Sequence, residues 1–133
     1  MYLLSTAQKR LRRRLEQQAE SRAGVSVVQA GALFALLRQD GLLSTELASQ
    51  LDIAPSAMTG LADRMLRGGL VERRVDERDK RINRLWLSAH GREVALTAQG
   101  ELGPLNQSLT QGFSDAEMAV VSRWLKAVAE RFD

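Results

Sequence analysis

Between Leu43 and Leu87 the spacing of apolar residues switches from a helical period to a strand period, and that switch leaves few folds open. Ser44 can cap a helix that carries Leu47, Ala48 and Leu51, with Glu46 facing the positive end of the helix dipole. Asp52 to Ala54 breaks the pattern. Pro55 can restart it, because proline at the first helical position gives up only a donor that has no partner there anyway. Met58, Leu61, Ala62, Met65 and Leu66 then fall at i, i+3, i+4, i+7 and i+8, one apolar stripe of a second helix. Its other face is Ser56, Thr59, Gly60, Asp63 and Arg67, with Arg64 at the edge. Gly68 and Gly69 are expected to end it with a left-handed cap. Leu70 to Arg74 and Ile82 to Leu87 read as strands, with Leu85 and Leu87 inward and Arg84 and Trp86 outward. Val75 to Arg81, between them, is almost purely charged.

A short helix with small polar groups on its free face, packed across another by a tight turn, is how a recognition helix enters the major groove of a duplex. Ser56, Ala57, Thr59, Gly60 and Arg64 are the candidates for groove contact. Ser56 and Thr59 can bond bases or phosphates, Arg64 a phosphate, and Ala57 a thymine methyl. Duplex DNA also presents a dense row of negative charge that calls for cations along one surface. Arg73, Arg74, Arg78, Lys80, Arg81 and Arg84 lie within twelve positions on and beside the hairpin. Arg74, Arg78, Lys80 and Arg81 are taken as DNA-contacting, with Arg78 at the tip placed to enter a minor groove. Asp76 and Asp79 have a structural role in this reading: they accept loop N–H bonds, and Asp76 or Asp79 holds Arg81, leaving Arg78 free.

The flanks read as helices. Leu4, Ala7, Leu11, Leu15 and Ala19 mark one stripe of a first helix ending near Gly24. Lys9, Arg10, Arg12, Arg13 and Arg14 fill much of its other side, read as a solvated face, with phosphate at the flank of a duplex as the alternative. Ser26 can cap a second helix with Val28, Ala32, Leu33, Leu36 and Leu37, closing at Gly41, and Phe34 is expected in the core. Ser88 can cap a long helix in which Gly100, Gly103 and Pro104 predict a kink or short break near residue 103, Leu102, Leu105 and Leu109 resuming the stripe. Ser114 with Glu117 forms a capping box. Behind it Met118, Val121, Leu125, Val128 and Phe132 repeat at 3, 4, 3 and 4, the seam of helices packed nearly parallel, and Trp124 widens it. A last helix so apolar, in a chain whose middle already supplies a core, most simply covers itself with a second copy.

Length and composition narrow the class. At 133 residues the chain is one domain in size, and 44% hydrophobic residues argue against disorder. Nineteen Lys and Arg against sixteen Asp and Glu give a net charge of only +3, so the case for a polyanion partner rests on where the cations sit. There is no cysteine and a single histidine, His90, read as a surface residue at a helix start; no metal site and no cofactor are expected. The longest apolar run is far short of the roughly 20 residues that span a bilayer. Nothing at the N-terminus resembles a cleavable leader, so a cytoplasmic protein with no membrane association is expected. No phosphate-cradling glycine loop or nucleophile elbow occurs, and the wing carboxylates are interleaved with arginines that would keep them ionised, so no enzyme is expected.

The order of elements, the run GLVERR, the loop D-E-R-D-K-R at Asp76 to Arg81 and the L-S-x-x-G at Leu87 to Gly91 together resemble the MarR family of winged helix-turn-helix regulators. The resemblance covers nearly the whole chain and implies a mainly α fold with a small antiparallel β wing, Leu42 and Leu43 adding a short third strand. Residues of about 25–88 would form the DNA-binding lobe, and about 1–24 and 89–133 the dimerisation helices. The interface would be formed by Leu4, Leu11, Leu15, Met118, Val121, Trp124, Leu125, Val128 and Phe132. Many relatives carry a longer polar side chain where this chain has Gly60, which shifts readout toward Ser56, Thr59 and the wing. The implied function is a homodimeric transcription regulator, mostly repressing, on a pseudo-palindromic duplex site, with a small-molecule effector bound between dimer helices and lobe. The rival reading is a winged-helix interaction module whose wing binds an acidic protein.

Overall fold

A computed structural model describes residues 1–21 and 23–133; of positions 19–21 only the backbone is described, so the side chain of Ala19 lies outside the described residues. The elements run α1 (Tyr2–Ser21), α2 (Val27–Arg38), β1 (Leu42–Leu43), α3 (Ser44–Leu51), α4 (Pro55–Arg67), β2 (Val71–Val75), β3 (Asn83–Leu87), α5 (Ala89–Thr110) and α6 (Asp115–Arg131). Two compact units divide at Gly100, unit one being Met1–Gly100 and unit two Glu101–Asp133. The fold is mainly α with a small antiparallel sheet, as the sequence led us to expect.

The first unit is built around one apolar cluster. Leu33 and Leu36 of α2, Leu47 of α3, Leu61 and Met65 of α4, and Leu42 and Leu85 of the sheet are all fully buried. Emptying such a site, as in Leu61→Ala, typically costs about 2–5 kcal/mol. The stripe Met58, Leu61, Ala62 and Met65 is buried and Leu66 half-buried, so α4 presents the face that its 3.6-residue period demands. Phe34, expected in the core, is only half-buried and is no part of that cluster.

The sheet has the order β1-β3-β2, all antiparallel, with Leu42 opposite Leu85 and Val71 opposite Leu87. Each hairpin strand begins one residue later than its apolar run suggests. On the inward face Val71, Leu85 and Leu87 are buried, but Val75 is 54% exposed and Asn83 is exposed. The core supports only the root of the hairpin; its outer half projects as an arm.

The structure corrects the start of α3 and the break expected in α5, and narrows the left-handed cap of α4 to one glycine. Ser44 is the first residue of α3 and not its cap; Leu43 holds the cap position, and its N–H donates to Glu46 Oε1 at 3.1 Å. Gly68 closes α4 in a right-handed conformation, and the left-handed residue is Gly69, φ +68°. α5 runs without a break through Pro104. A proline inside a helix crowds the carbonyl four residues back, a position that Gly100 fills here, and the space where a Cβ on Gly100 or Gly103 would stand is open. The capping boxes Ser26/Gln29 and Ser114/Glu117 are both formed, and the Ser114 N–H and hydroxyl hold Glu117 below the usual carboxylate range.

The L-S-x-x-G motif has a steric reason. The Ser88 N–H donates to the Leu70 carbonyl at 3.0 Å, its hydroxyl donates to the Gly69 carbonyl, and its Oγ accepts from the Gly91 N–H at 2.8 Å. That clamp seats the first turn of α5 on the turn after α4. Any Cβ at position 91 would lie 1.8 Å from the Leu70 oxygen, so only glycine fits. Asp40 adds a second tie, accepting from Gly41 N–H at 3.1 Å and Leu87 N–H at 2.9 Å. Nothing in the sequence pattern singled it out.

Candidate nucleic-acid interface

The free face of α4 and the charged hairpin lie in the same unit. Ser56, Ala57, Thr59 and Arg64 are exposed and Gly60 is half-buried, so the five candidates share one accessible surface opposite the buried stripe. Thr59 Oγ1 donates to the Pro55 carbonyl at 3.1 Å, leaving its lone pairs free to accept. At Gly60 an added Cβ would meet only the Arg64 guanidinium, at 3.4 Å: the missing side chain leaves a shallow place over which Arg64 lies.

In the wing the charges sort themselves. Asp76 Oδ1 accepts the Arg78 N–H at 2.7 Å, and Oδ2 accepts from Arg84 Nε at 2.7 Å. Asp79 accepts the Arg81 N–H at 3.0 Å and grips the Arg81 guanidinium with both oxygens, each at 3.1 Å. The Arg84 bond, then the Arg78 N–H, hold the Asp76 carboxyl below its ordinary range; Arg81 does the same to Asp79, whose charge raises Arg81 in turn. The loop therefore stays anionic at these two points and shaped by them. The Asp76 N–H donates to the Ile82 carbonyl at 2.8 Å, closing its neck.

Arg84 lies on the outer face, as strand alternation suggests, but is not a free cation there. Its side chain is 35% exposed and bridges the wing root: Nε to Asp76, Nη1 to the Gly41 carbonyl at 3.0 Å, and Nη1 at 3.7 Å from Glu46 Oε1. Cross-strand register explains why. Arg74 and Arg84 are directly opposed on one face, an arrangement that repels. Glu72 takes Arg74 at 2.9 Å, Trp86 lies under its guanidinium at 5.2 Å, and Asp76 takes Arg84. Trp86 in turn packs on Gly41, where any Cβ would stand 2.4 Å from the ring. The outer face of the sheet is thus occupied, and a cleft lined by Arg74, Asp76, Arg78, Arg84 and Trp86 opens toward the tip.

Three wing cations remain without an ion pair or side-chain hydrogen bond among the described residues: Arg73, Arg78 and Lys80, all exposed. Arg78 has its backbone fixed by Asp76 and its guanidinium free. The other candidate set lies elsewhere. Leu4, Leu11 and Leu15 are half-buried on α1, and of the α6 residues Met118 and Val128 are half-buried while Val121, Trp124 and Leu125 are 44%, 49% and 43% exposed and Phe132 83%.

Residues 23–82 match the family model of the MarR family. The structure is similar to S. aureus MepR in a MepR–DNA complex, with a TM-score of 0.85 at 20% identity over 99% of this chain and 95% of that one. It is similar to a mutant MarR from E. coli complexed with operator DNA, with a TM-score of 0.83 at 25% identity over 96% and 91%. BldR from Sulfolobus solfataricus gives 0.86 at 21% identity over 98% and 92%. No curated protein matches the sequence. Over residues 23–82, and in the winged helix-turn-helix to which they contribute, this chain is similar to the MarR family of transcription regulators.

Proposed function

We propose that this protein is a homodimeric transcription regulator that binds a pseudo-palindromic duplex operator and represses until a small-molecule effector releases it. The observation that carries the reading is the wing tip: Asp76 holds the Arg78 backbone at 2.7 Å while its side chain stays unpaired, beside a helix whose free face is small and polar. A cation on an arm fixed at its root reaches a narrow, strongly negative minor groove with little ordering left to do. Ser56, Ala57, Thr59, Gly60 and Arg64 face the adjoining major groove, with Arg74, Lys80 and Arg81 against the backbone. The relatives solved with DNA are consistent with this use of the fold.

The exposed seam of α6 supports the dimer, since a second copy would cover Val121, Trp124, Leu125 and Phe132. Two lobes then meet two half-sites about one helical turn apart. Family and fold are those of transcription regulators, and we read the chain as a binding protein with no catalytic role, working in the cytoplasm. Among the described residues no helix is long and apolar enough to cross a membrane.

Selection of bound sequences from a random duplex pool, followed by titration across salt, tests the proposal. An enriched palindromic site whose affinity falls steeply with salt and survives moderate bulk DNA is expected. Equal binding to all sequences, or retention only by an acidic protein, would overturn it.

A further inference from the structure

The wing is not the only cationic surface. Lys9, Arg10, Arg12, Arg13 and Arg14 lie on α1, all exposed, and without those five the remaining fourteen Lys and Arg face sixteen Asp and Glu, a net charge of −2. The positive balance of the whole chain therefore resides on this helix. At 3.6 residues per turn Lys9, Arg10, Arg13 and Arg14 fall within an arc of about 140°. Leu4, Leu11 and Leu15 stand opposite and are half-buried. Arg12, off the arc, pairs with Glu16 at 3.5 Å; the other four have no ion pair or hydrogen-bond partner for their side chains among the described residues.

The spacing is telling. Lys9 with Arg13, and Arg10 with Arg14, are like charges at i and i+4, which oppose the helix they sit on. In the wing each cluster of cations has its own acids threaded through it; between Lys9 and Arg14 there is none, and Glu16, just off the arc, is taken by Arg12. The two rows advance about 6 Å along the axis per step of four residues, against a phosphate every 3.4 Å or so along each strand of a duplex. Leu4, Leu11 and Leu15 are already half-covered, and the apolar side chains left open at this end of the chain are Met1, Tyr2 and Leu3, a small patch to lay into a lipid surface.

We infer that the Lys9–Arg10–Arg13–Arg14 face of α1 is a second, sequence-independent binding surface for the phosphate backbone of duplex DNA. It rests on the reading of this chain as a duplex binder and adds to it: the wing and α4 choose the site, while α1 supplies charge that any sequence satisfies. Its contribution is to affinity and to the salt slope, and not to discrimination between sequences.

The test uses the full-length protein with all four residues changed together, Lys9→Gln, Arg10→Gln, Arg13→Gln and Arg14→Gln, and fluorescence anisotropy on a random-sequence duplex and on the selected operator across a salt series. The slope of log affinity against log salt should fall by roughly 3 to 4 per protomer on both duplexes, with the preference for the operator unchanged. The swap Lys9→Arg with Arg10→Lys, Arg13→Lys and Arg14→Lys should keep the wild-type slope, since only charge is read. Circular dichroism melting shows whether the quadruple variant folds; if it does not, the pair Arg10→Gln and Arg14→Gln should lower the slope by roughly 2. An unchanged slope in the folded variant, loss of sequence preference, or a loss seen only on anionic vesicles or an acidic peptide would each overturn the inference. Wild-type protein that ignores both duplexes would instead sink the regulatory reading on which it stands.

Discussion

The winged lobe and the last helix treat their side chains in opposite ways. Within the lobe Leu33, Leu36, Leu47, Leu61, Met65 and Leu85 are fully covered, and Asp40, Asp76, Asp79 and Arg84 each satisfy several partners at once. α6 buries no residue at all in the single chain and leaves Val120, Val121, Trp124, Leu125 and Phe132 open. One region is closed in a single copy; the other is a well-capped helix whose apolar side stays largely open. What a fold leaves unsatisfied marks where it meets something else, and the lobe leaves Arg78 unpaired at its tip in the same sense that α6 leaves its seam.

That contrast can be broken most forcefully at the seam. Leu125→Asp puts a charge into the middle of the apolar repeat, and the dimer should dissociate entirely, read as a halved mass in sedimentation or light scattering. A dimer mass that stays the same would place the interface elsewhere. The finished side of the comparison is probed by Gly91→Ala, where the new methyl collides with the Leu70 carbonyl and α5 must shift off the lobe. Destabilisation of about 3 kcal/mol in urea unfolding is expected. A wild-type midpoint would mean that the close approach of α5 to Leu70 does not constrain the lobe.

Arg78→Ala tests the unpaired tip. Operator affinity should drop by about tenfold to a hundredfold, which is roughly 1–3 kcal/mol, while dimer mass and melting temperature hold. Full affinity would take the wing tip out of the mechanism. The smallest effect comes from the acids that shape the wing. Both Asp76 and Asp79 are held below their ordinary range by arginine, so their contribution to wing order is complete above the usual aspartate range and is lost as pH falls through their lowered values. The Arg78 amide should stay protected from exchange to a lower pH than an unpaired loop amide would, and Asp76→Asn should expose it at neutral pH with only a few-fold loss of operator affinity. Protection unchanged in Asp76→Asn would show that the carboxylate does not order the tip.

Much of the lobe was legible beforehand, because local chemistry and burial point the same way there. Pro55 starts α4, the 3.6-residue stripe from Met58 to Met65 lies inward, and Ser26, Ser88 and Ser114 begin their helices. Sequence and structure part where a neighbour distant in the chain decides. Arg84 looked like one more wing cation, yet Gly41, forty-three residues away, and Asp76 turn it into a brace. Phe34 has core chemistry but ended half-exposed, and Asp40 drew no attention although it ties α2 to β3.

By itself the sequence determined where the helices lie, the caps at Ser26 and Ser114, the hairpin and which cations cluster, since each follows from period, capping chemistry and turn residues within a few positions of one another. The local pairing of Arg81 with an aspartate beside a free Arg78 was legible too; only the tertiary structure decided that Arg84 is tied to Asp76 and Gly41, because that depends on strand register and on approaches such as Arg74 opposite Arg84 or Gly91 against Leu70 that no local pattern encodes.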